Sequence, residues 1–409
     1  MLNHLWFSFF AIAFLSGMFH WLVLGNSEIW VALVQSTFSM ATTAFDISLG
    51  LVGILCLWLG LFAIAREAGL IQHIARGLNP LFRHLFPEVP QNHPAQASMT
   101  MNMAANMLGL DNAATPLGLK AMQELQALNP VKNIATNAQI LFLVINTSSI
   151  TLLPVTIFMY RAQLGAADPT SVFLPILFAT SFSTFVGIMA VAWVQKLPIF
   201  NRIVLAYFGG FAIFLSAIAV YISALSTEEQ TRQSTLAGNL IIFCIITCFI
   251  FAGWRKKVPV YEVFVEGAKE GFEVAIRIIP YLVAMLVAIG VLRASGALDG
   301  ALWVIERGVL ALGLNADFVP ALPTAFMKPF SGSGARAMLI ETMNNYGVDS
   351  FPALLSATIQ GSTETTFYVL AVYFGSVGIT QTRHAIACGL LADVAGITAA
   401  IGVGYLFFA

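Results

Sequence analysis

The sequence predicts an all-α polytopic membrane protein made of two inverted repeats, each with a re-entrant helical hairpin and a broken span. Three observations carry that expectation. The 409-residue chain is 58% hydrophobic and only 10% charged, whereas a soluble domain is about a quarter charged. Apolar runs of about 20 residues recur along it, the length that crosses a hydrocarbon core of roughly 30 Å at 1.5 Å per residue. The order of polar interruptions in the first half returns in the second. A transmembrane barrel would show alternating strands of about ten residues instead.

Taken in order, the apolar runs predict spans near 5–24, 46–66, 138–160, 171–194, 201–223, 236–253, 273–294, 351–375 and 384–408. The first lacks a basic leader and a small-x-small cleavage site, so it is expected to be a retained span rather than a signal peptide. Residues 69–86 and 260–272 are amphipathic and are expected to lie along the interface. Residues 97–128 and 318–346 each predict short helix, polar turn, short helix. The cluster Arg255, Lys256, Lys257 is the strongest basic anchor. Placing it in the cytoplasm also puts Arg66, Arg76, Arg83, Lys132, Lys196, Arg202, Lys269 and Arg383 inside. The N-terminus then lies inside, and Arg161, Arg232, Arg293, Arg307 and the C-terminus lie outside.

The repeat shows at a constant offset of 227, where Phe45 meets Phe272, Asp46 meets Glu273, Arg66 meets Arg293 and Gly69 meets Gly296. An interrupted segment follows in each half, "MAANMLGLDNAATPLGLKAMQEL" and "TAFMKPFSGSGARAMLIETM". A span with a polar centre comes next, "LFLVINTSSITLLPVTIF" and "SATIQGSTETTFYVLAVYF". An odd number of spans precedes the second repeat, so it is expected to run with opposite orientation. Inverted repeats with interrupted helices are the signature of a secondary transporter. The expected divisions are 1–200, a connecting segment 201–235, and 236–409.

Residues 318–329 give only about 18 Å of helix before the turn, too short to cross. The chain must turn at depth, where protein or a water-filled cavity satisfies its backbone. Gly332 and Gly334 are expected to supply positive φ or close approach, and Ser331 or Ser333 to cap a helix starting near Ala335. In the first repeat Asp111 or Asn112 is the expected cap, with Pro116 in the first turn. The hydroxyls of Asn146–Ser149 and Gly361–Thr366 either line a site or serve as packing glue. Glu364 at mid-span needs a partner, a proton or water; Arg336 and Lys328 are the candidate partners. Asp393 raises the same question, whereas Asp46, Glu273 and Arg277 are expected near span ends.

Several classes are excluded or set aside. A net charge of −1 gives no basis for nucleic-acid binding. No zinc or redox cysteine spacing occurs; Cys244 and Cys248, one helical turn apart, read as small apolar residues. Neither a metal nor a cofactor is expected. "SGSGAR" lacks the GxxxxGK[ST] spacing of a phosphate loop. An intramembrane serine hydrolase would need Ser333 beside a base such as His384, and a purely structural hairpin remains an alternative.

The first half, through "MNMAANMLGLDNAATPLGLKAMQEL" and "NTSSITLLP", resembles spore maturation protein A. The second, through "KPFSGSGARAMLIE" and "QGSTETTFYVLAVYFGSVGI", resembles spore maturation protein B. Both belong to the nucleoside-recognition or Gate group, similar to concentrative nucleoside transporters and to the membrane part of the ferrous iron transporter. The resemblance implies two inverted Gate-type repeats whose hairpin tips and unwound spans meet at mid-membrane. It does not carry over a transported species. In the nucleoside transporters specificity comes from polar hairpin and broken-span residues, to which Asn112, Asn146, Thr147, Ser148, Ser333, Thr363 and Glu364 loosely correspond.

The expectation is a multi-pass protein of a bacterial cytoplasmic membrane, enzymatically inactive, that moves a small polar solute, nucleoside-like or anionic, with coupling to a cation or proton. A homo-oligomer is a further expected partner state. The expected site comprises Asp111, Asn112, Thr115, Asn146, Thr147, Ser148, Ser331, Ser333, Arg336, Ser362, Thr363 and Glu364. The alternative is a membrane assembly or signalling protein with a closed core.

Overall fold

A computed structural model of the chain describes residues 2–109, 111–148, 150–197 and 201–408, with only the backbone described for Leu2, Asp111, Asn112, Ala113 and Thr227. The described residues are helical apart from turns and one isolated bridge, Ile134 with Gln381. In order come α1 (Leu2–Leu22), α2 (Ile29–Glu67), α3 (Leu70–Leu85), α4 (Pro94–Met107), α5 (Asp111–Leu128), α6 (Asn137–Ser148), α7 (Val155–Gln163) and α8 (Phe173–Gln195). Then follow α9 (Arg202–Ser223), α10 (Thr227–Arg255), α11 (Val260–Ala294) and α12 (Ala297–Ala311). A 3-10 turn (Val319–Ala321) leads into α13 (Leu322–Met327), α14 (Gly332–Tyr346), α15 (Phe351–Ser362), α16 (Thr366–Ser376) and α17 (Ala385–Phe408). Among the described residues seven helices, α1, α2, α8, α9, α10, α11 and α17, are long and apolar enough to cross a membrane. This is an all-α polytopic membrane protein.

The expected spans 138–160 and 351–375 are each two helices, α6 with α7 and α15 with α16, broken where the sequence turns polar. Two expectations about length fail. α2 has 39 residues and α11 has 35, about 58 and 52 Å at 1.5 Å per residue. Residues 260–272 are therefore no separate interfacial helix but the opening turns of α11. Asp46, Glu273 and Arg277 lie well inside these helices and are exposed.

Close packing explains the lengths. A Cβ at Gly267 would lie 2.7 Å from the Leu59 carbonyl, one at Gly271 2.6 Å from the Cys56 amide, and one at Gly290 2.3 Å from Met40 Cγ. These glycines let two backbones touch; they do not break the helix. The partner number falls as the α11 number rises, so α2 and α11 run antiparallel. Leu51, Trp58, Leu61 and Phe62 of α2 and Leu282, Leu286 and Ile289 of α11 belong to one buried cluster. α8 and α17 are also antiparallel: Gly187 faces Ala392, Gly396 faces Ser183, and Ser183 Oγ donates to the Ala392 carbonyl at 2.9 Å.

Each long helix turns into an amphipathic one through a left-handed glycine, Gly69 at φ +75° before α3 and Gly296 at φ +74° before α12. α3 covers the expected 69–86 segment and buries Ile71, Ala75, Phe82 and Leu85. At one end of the bundle the Asn133 carbonyl accepts from the amides of Thr380 and Gln381, and Ala135 donates back to Gln381 at 3.0 Å. Elsewhere Arg161, in the last turn of α7, pairs with Asp349, before α15, at 2.9 Å.

Candidate functional site

The second hairpin is capped by Ser331, one of the two expected caps, but its glycines do not take positive φ. Ser331, with φ −153° and ψ 116°, accepts from the Gly334 amide at 3.0 Å and caps α14. The helix thus starts at Gly332, three residues before Ala335, and both Gly332 and Gly334 are helical. A Cβ at Gly334 would lie 2.3 Å from Met327 Cε, so its smallness serves packing. Left-handed geometry appears in the other hairpin, at Gly109 (φ +69°). α5 starts at Asp111, which moves Pro116 beyond the first turn. The side chains of Asp111 and Asn112, and all of Ser149, lie outside the described residues.

Main-chain bonds tie each tip to the break of its own half. Leu152, in the α6–α7 break, donates to the Met107 carbonyl at 3.0 Å. Phe367, just after the α15–α16 break, donates to the Pro329 carbonyl at 2.9 Å, and its ring stacks on Phe330. The two breaks also meet: the Glu364 amide donates to the Thr147 carbonyl at 2.7 Å. Backbone groups freed by unwinding thus find partners without water, as a buried break requires.

A cavity of about 80 Å³ lies at this junction, walled by Asn106, Lys328, Arg336, Gln360, Thr363 and Glu364 among others. A second cavity of about 200 Å³ shares Thr156, Tyr160 and Arg336 with it and reaches Arg66 and Glu270, on α2 and α11. Three expected site residues, Arg336, Thr363 and Glu364, line the first cavity. The expected Arg336–Glu364 ion pair is not made: among the described residues no ion pair links them. Glu364 is exposed, whereas Lys328 is buried. Both residues line the cavity, and the break holds residue 364 outside any helix.

The other expected residues do different work. Thr147 and Ser148 hydroxyls donate back to the Val144 carbonyl, and Ser362 to that of Ile359. Ser333 lies 3.2 Å from Ser331 Oγ. Thr115 is half-buried on α5 and does not line the cavity. Asn146 Oδ1 accepts from Asn106 at 2.8 Å and from the Tyr373 hydroxyl at 3.3 Å, joining α4, α6 and α16. The hydrolase pairing is absent, since His384 Nε2 instead lies 3.0 Å from Gln195 Nε2.

Sequence reasoning passed over Asn102, Asn106, Gln360 and Tyr373. Asn102 donates to the Ala114 carbonyl at 2.8 Å, across the hairpin. The four-residue spacing of Asn102 and Asn106 in an apolar helix was the available signal. Asp393 is 1% exposed; its Oδ2 accepts from Thr366 at 2.7 Å, and its Oδ1 has no partner among the described residues. The Gln360 Oε1 and Thr363 Oγ1 atoms are likewise buried without partners.

The family pattern described as Gate, nucleoside recognition, matches residues 48–164 and 275–380. The chain belongs to the Gate family. The two Gate matches run from α2 through α7 and from α11 through α16, so each holds one hairpin tip and one break. The chain is also 49% identical over 164 residues to spore maturation protein B of Bacillus subtilis (strain 168), covering 40% of this chain and 90% of that one. It is 41% identical over 149 residues to spore maturation protein A of the same organism, covering 36% and 76%. These likenesses fit a fusion of two Gate proteins that are separate chains in that bacterium.

Proposed function

We propose that this Gate-family protein moves a small polar solute across a bacterial cytoplasmic membrane, with its site where both hairpin tips and both breaks converge. One observation carries the reading. A cavity at that junction presents Arg336 and Glu364 with no ion pair between them, a costly arrangement within a bilayer protein unless water or a solute enters. Antiparallel packing of α2 on α11 and of α8 on α17 supports an inverted relation between residues 44–195 and 271–408. Such a relation lets the two halves rock around a fixed site. Glu364 is the group we assign to a coupling cation or a donor on the solute. The Arg255–Lys257 cluster is assigned to the cytoplasmic side.

The competing reading, a non-transporting assembly protein, calls for a closed core; the two adjoining cavities favour transport. Reconstitution in vesicles tests the choice. A panel of small polar solutes is screened for uptake or for transient currents on a supported membrane. Glu364→Gln should abolish the signal while the melting temperature stays unchanged. Undiminished uptake in Glu364→Gln would remove Glu364 from the mechanism. A panel with no uptake in the parent protein would favour the assembly reading.

A further inference from the structure

We propose, resting on the transport reading of this site, that the solute is a small zwitterion carrying one carboxylate and one ammonium group. Acceptors gather on one wall of the cavity. Glu364 and Gln360 come from the end of α15 and its break and line the cavity together, and Gln360 Oε1 has no hydrogen-bond partner among the described residues. An ammonium carries three N–H donors and no acceptor, which suits a wall of acceptors. The carboxyl-terminal end of α15 adds its negative partial charge to the same wall. Arg336 comes from α14 instead, in its second turn. A guanidinium takes a carboxylate through two parallel bonds.

A solute that carries one charge of each sign pairs both Arg336 and Glu364, which line the same cavity with no ion pair between them. An uncharged nucleoside would supply no opposite charge to either Arg336 or Glu364. Size and shape point the same way. The cavity holds about 80 Å³, whereas pockets for drug-sized ligands begin near roughly 300 Å³. Among the described residues Tyr160 is the one aromatic side chain on its wall, with no second ring to sandwich a base.

The test uses the purified full chain in detergent, with thermal shift and titration calorimetry. The probes are glycine and γ-aminobutyrate as zwitterions, acetate and methylammonium as their separate halves, and uridine. One or both zwitterions should raise the melting temperature in a dose-dependent way, and equal concentrations of acetate, methylammonium or uridine should not. Arg336→Gln and Glu364→Gln should each weaken zwitterion binding tenfold or more, with the unliganded melting temperature held as the check on folding. Stabilisation by acetate alone, binding of uridine, zwitterion binding unaffected by both charge-removing variants, or no zwitterion binding at all would overturn the proposal. Uridine binding lost in Glu364→Gln would sink the zwitterion and keep the transport reading. A zwitterion that binds but never enters vesicles would sink transport and keep the specificity.

Discussion

The amide of Glu364 donates to the carbonyl of Thr147 at 2.7 Å, so the two broken spans are joined through main chain at the residue whose carboxylate faces the cavity. Side chain and backbone of Glu364 therefore have separable roles. Glu364→Gln keeps the N–H and should melt like the parent. Glu364→Pro removes the donor, leaves the buried Thr147 carbonyl unpaired, and should lose about 1–3 kcal/mol. Thermal melts of the two variants side by side decide it; equal melting would mean the junction contributes nothing.

Gly271 and Gly53 make a matched pair on the two long helices. A Cβ at Gly271 would sit 2.6 Å from the Cys56 amide nitrogen, whereas one at Gly53 meets nothing within 4 Å. Backbone cannot move aside as a side chain can, so Gly271→Ala should cost about 1–3 kcal/mol through forced separation of α2 and α11. Gly53→Ala should be neutral or gain up to about 1 kcal/mol from helix propensity. Reversal of that order in melting temperature would show that the contact is loose.

These glycines also explain what the sequence concealed. Hydropathy marked the apolar centre of α11, but Gly267 and Gly271 looked like the edge of a helix when they are its tightest contact. The correspondence of Gly69 with Gly296 was legible, because a glycine after an arginine recurs at fixed offset, but their left-handed φ was not expected. Hairpins and breaks were legible for the same reason: too few residues to cross, then polar ones. Which hydroxyls face the cavity was not. Thr147, Ser148 and Ser362 turn back onto carbonyls of their own helices while Thr363 does not, a choice set by where each helix stops. Glu364 and Arg336 could be paired on paper because distance within a fold is invisible in a chain.

His384 lies just before α17, where partial burial and neighbouring Arg383 hold its ring below the ordinary value near 6.5. A ring kept neutral in the fold protonates more readily when unfolded. Its contribution is complete above the unfolded value and is lost as pH falls through it. The melting temperature should therefore decline between about pH 7.5 and 5.5. His384→Gln should flatten that decline. An unchanged slope in the variant would assign the effect to other groups.

Arg161 is fully buried, and its guanidinium donates to the carbonyls of Asp168, Pro169 and Val348 as well as to Asp349, whose side chain is 45% exposed. The arginine thus fastens the α7–α8 loop to the α14–α15 loop mainly through main-chain acceptors, with the carboxylate as one contact among several. Arg161→Ala removes every donor at once and should cost about 3 kcal/mol. Asp349→Asn keeps an acceptor for Arg161 and sits half in solvent, so it should cost about 1 kcal/mol or less. Chemical-denaturant melts of both variants test the ranking. If Asp349→Asn were as damaging as Arg161→Ala, the ion pair rather than the carbonyl cage would be what holds these two loops together.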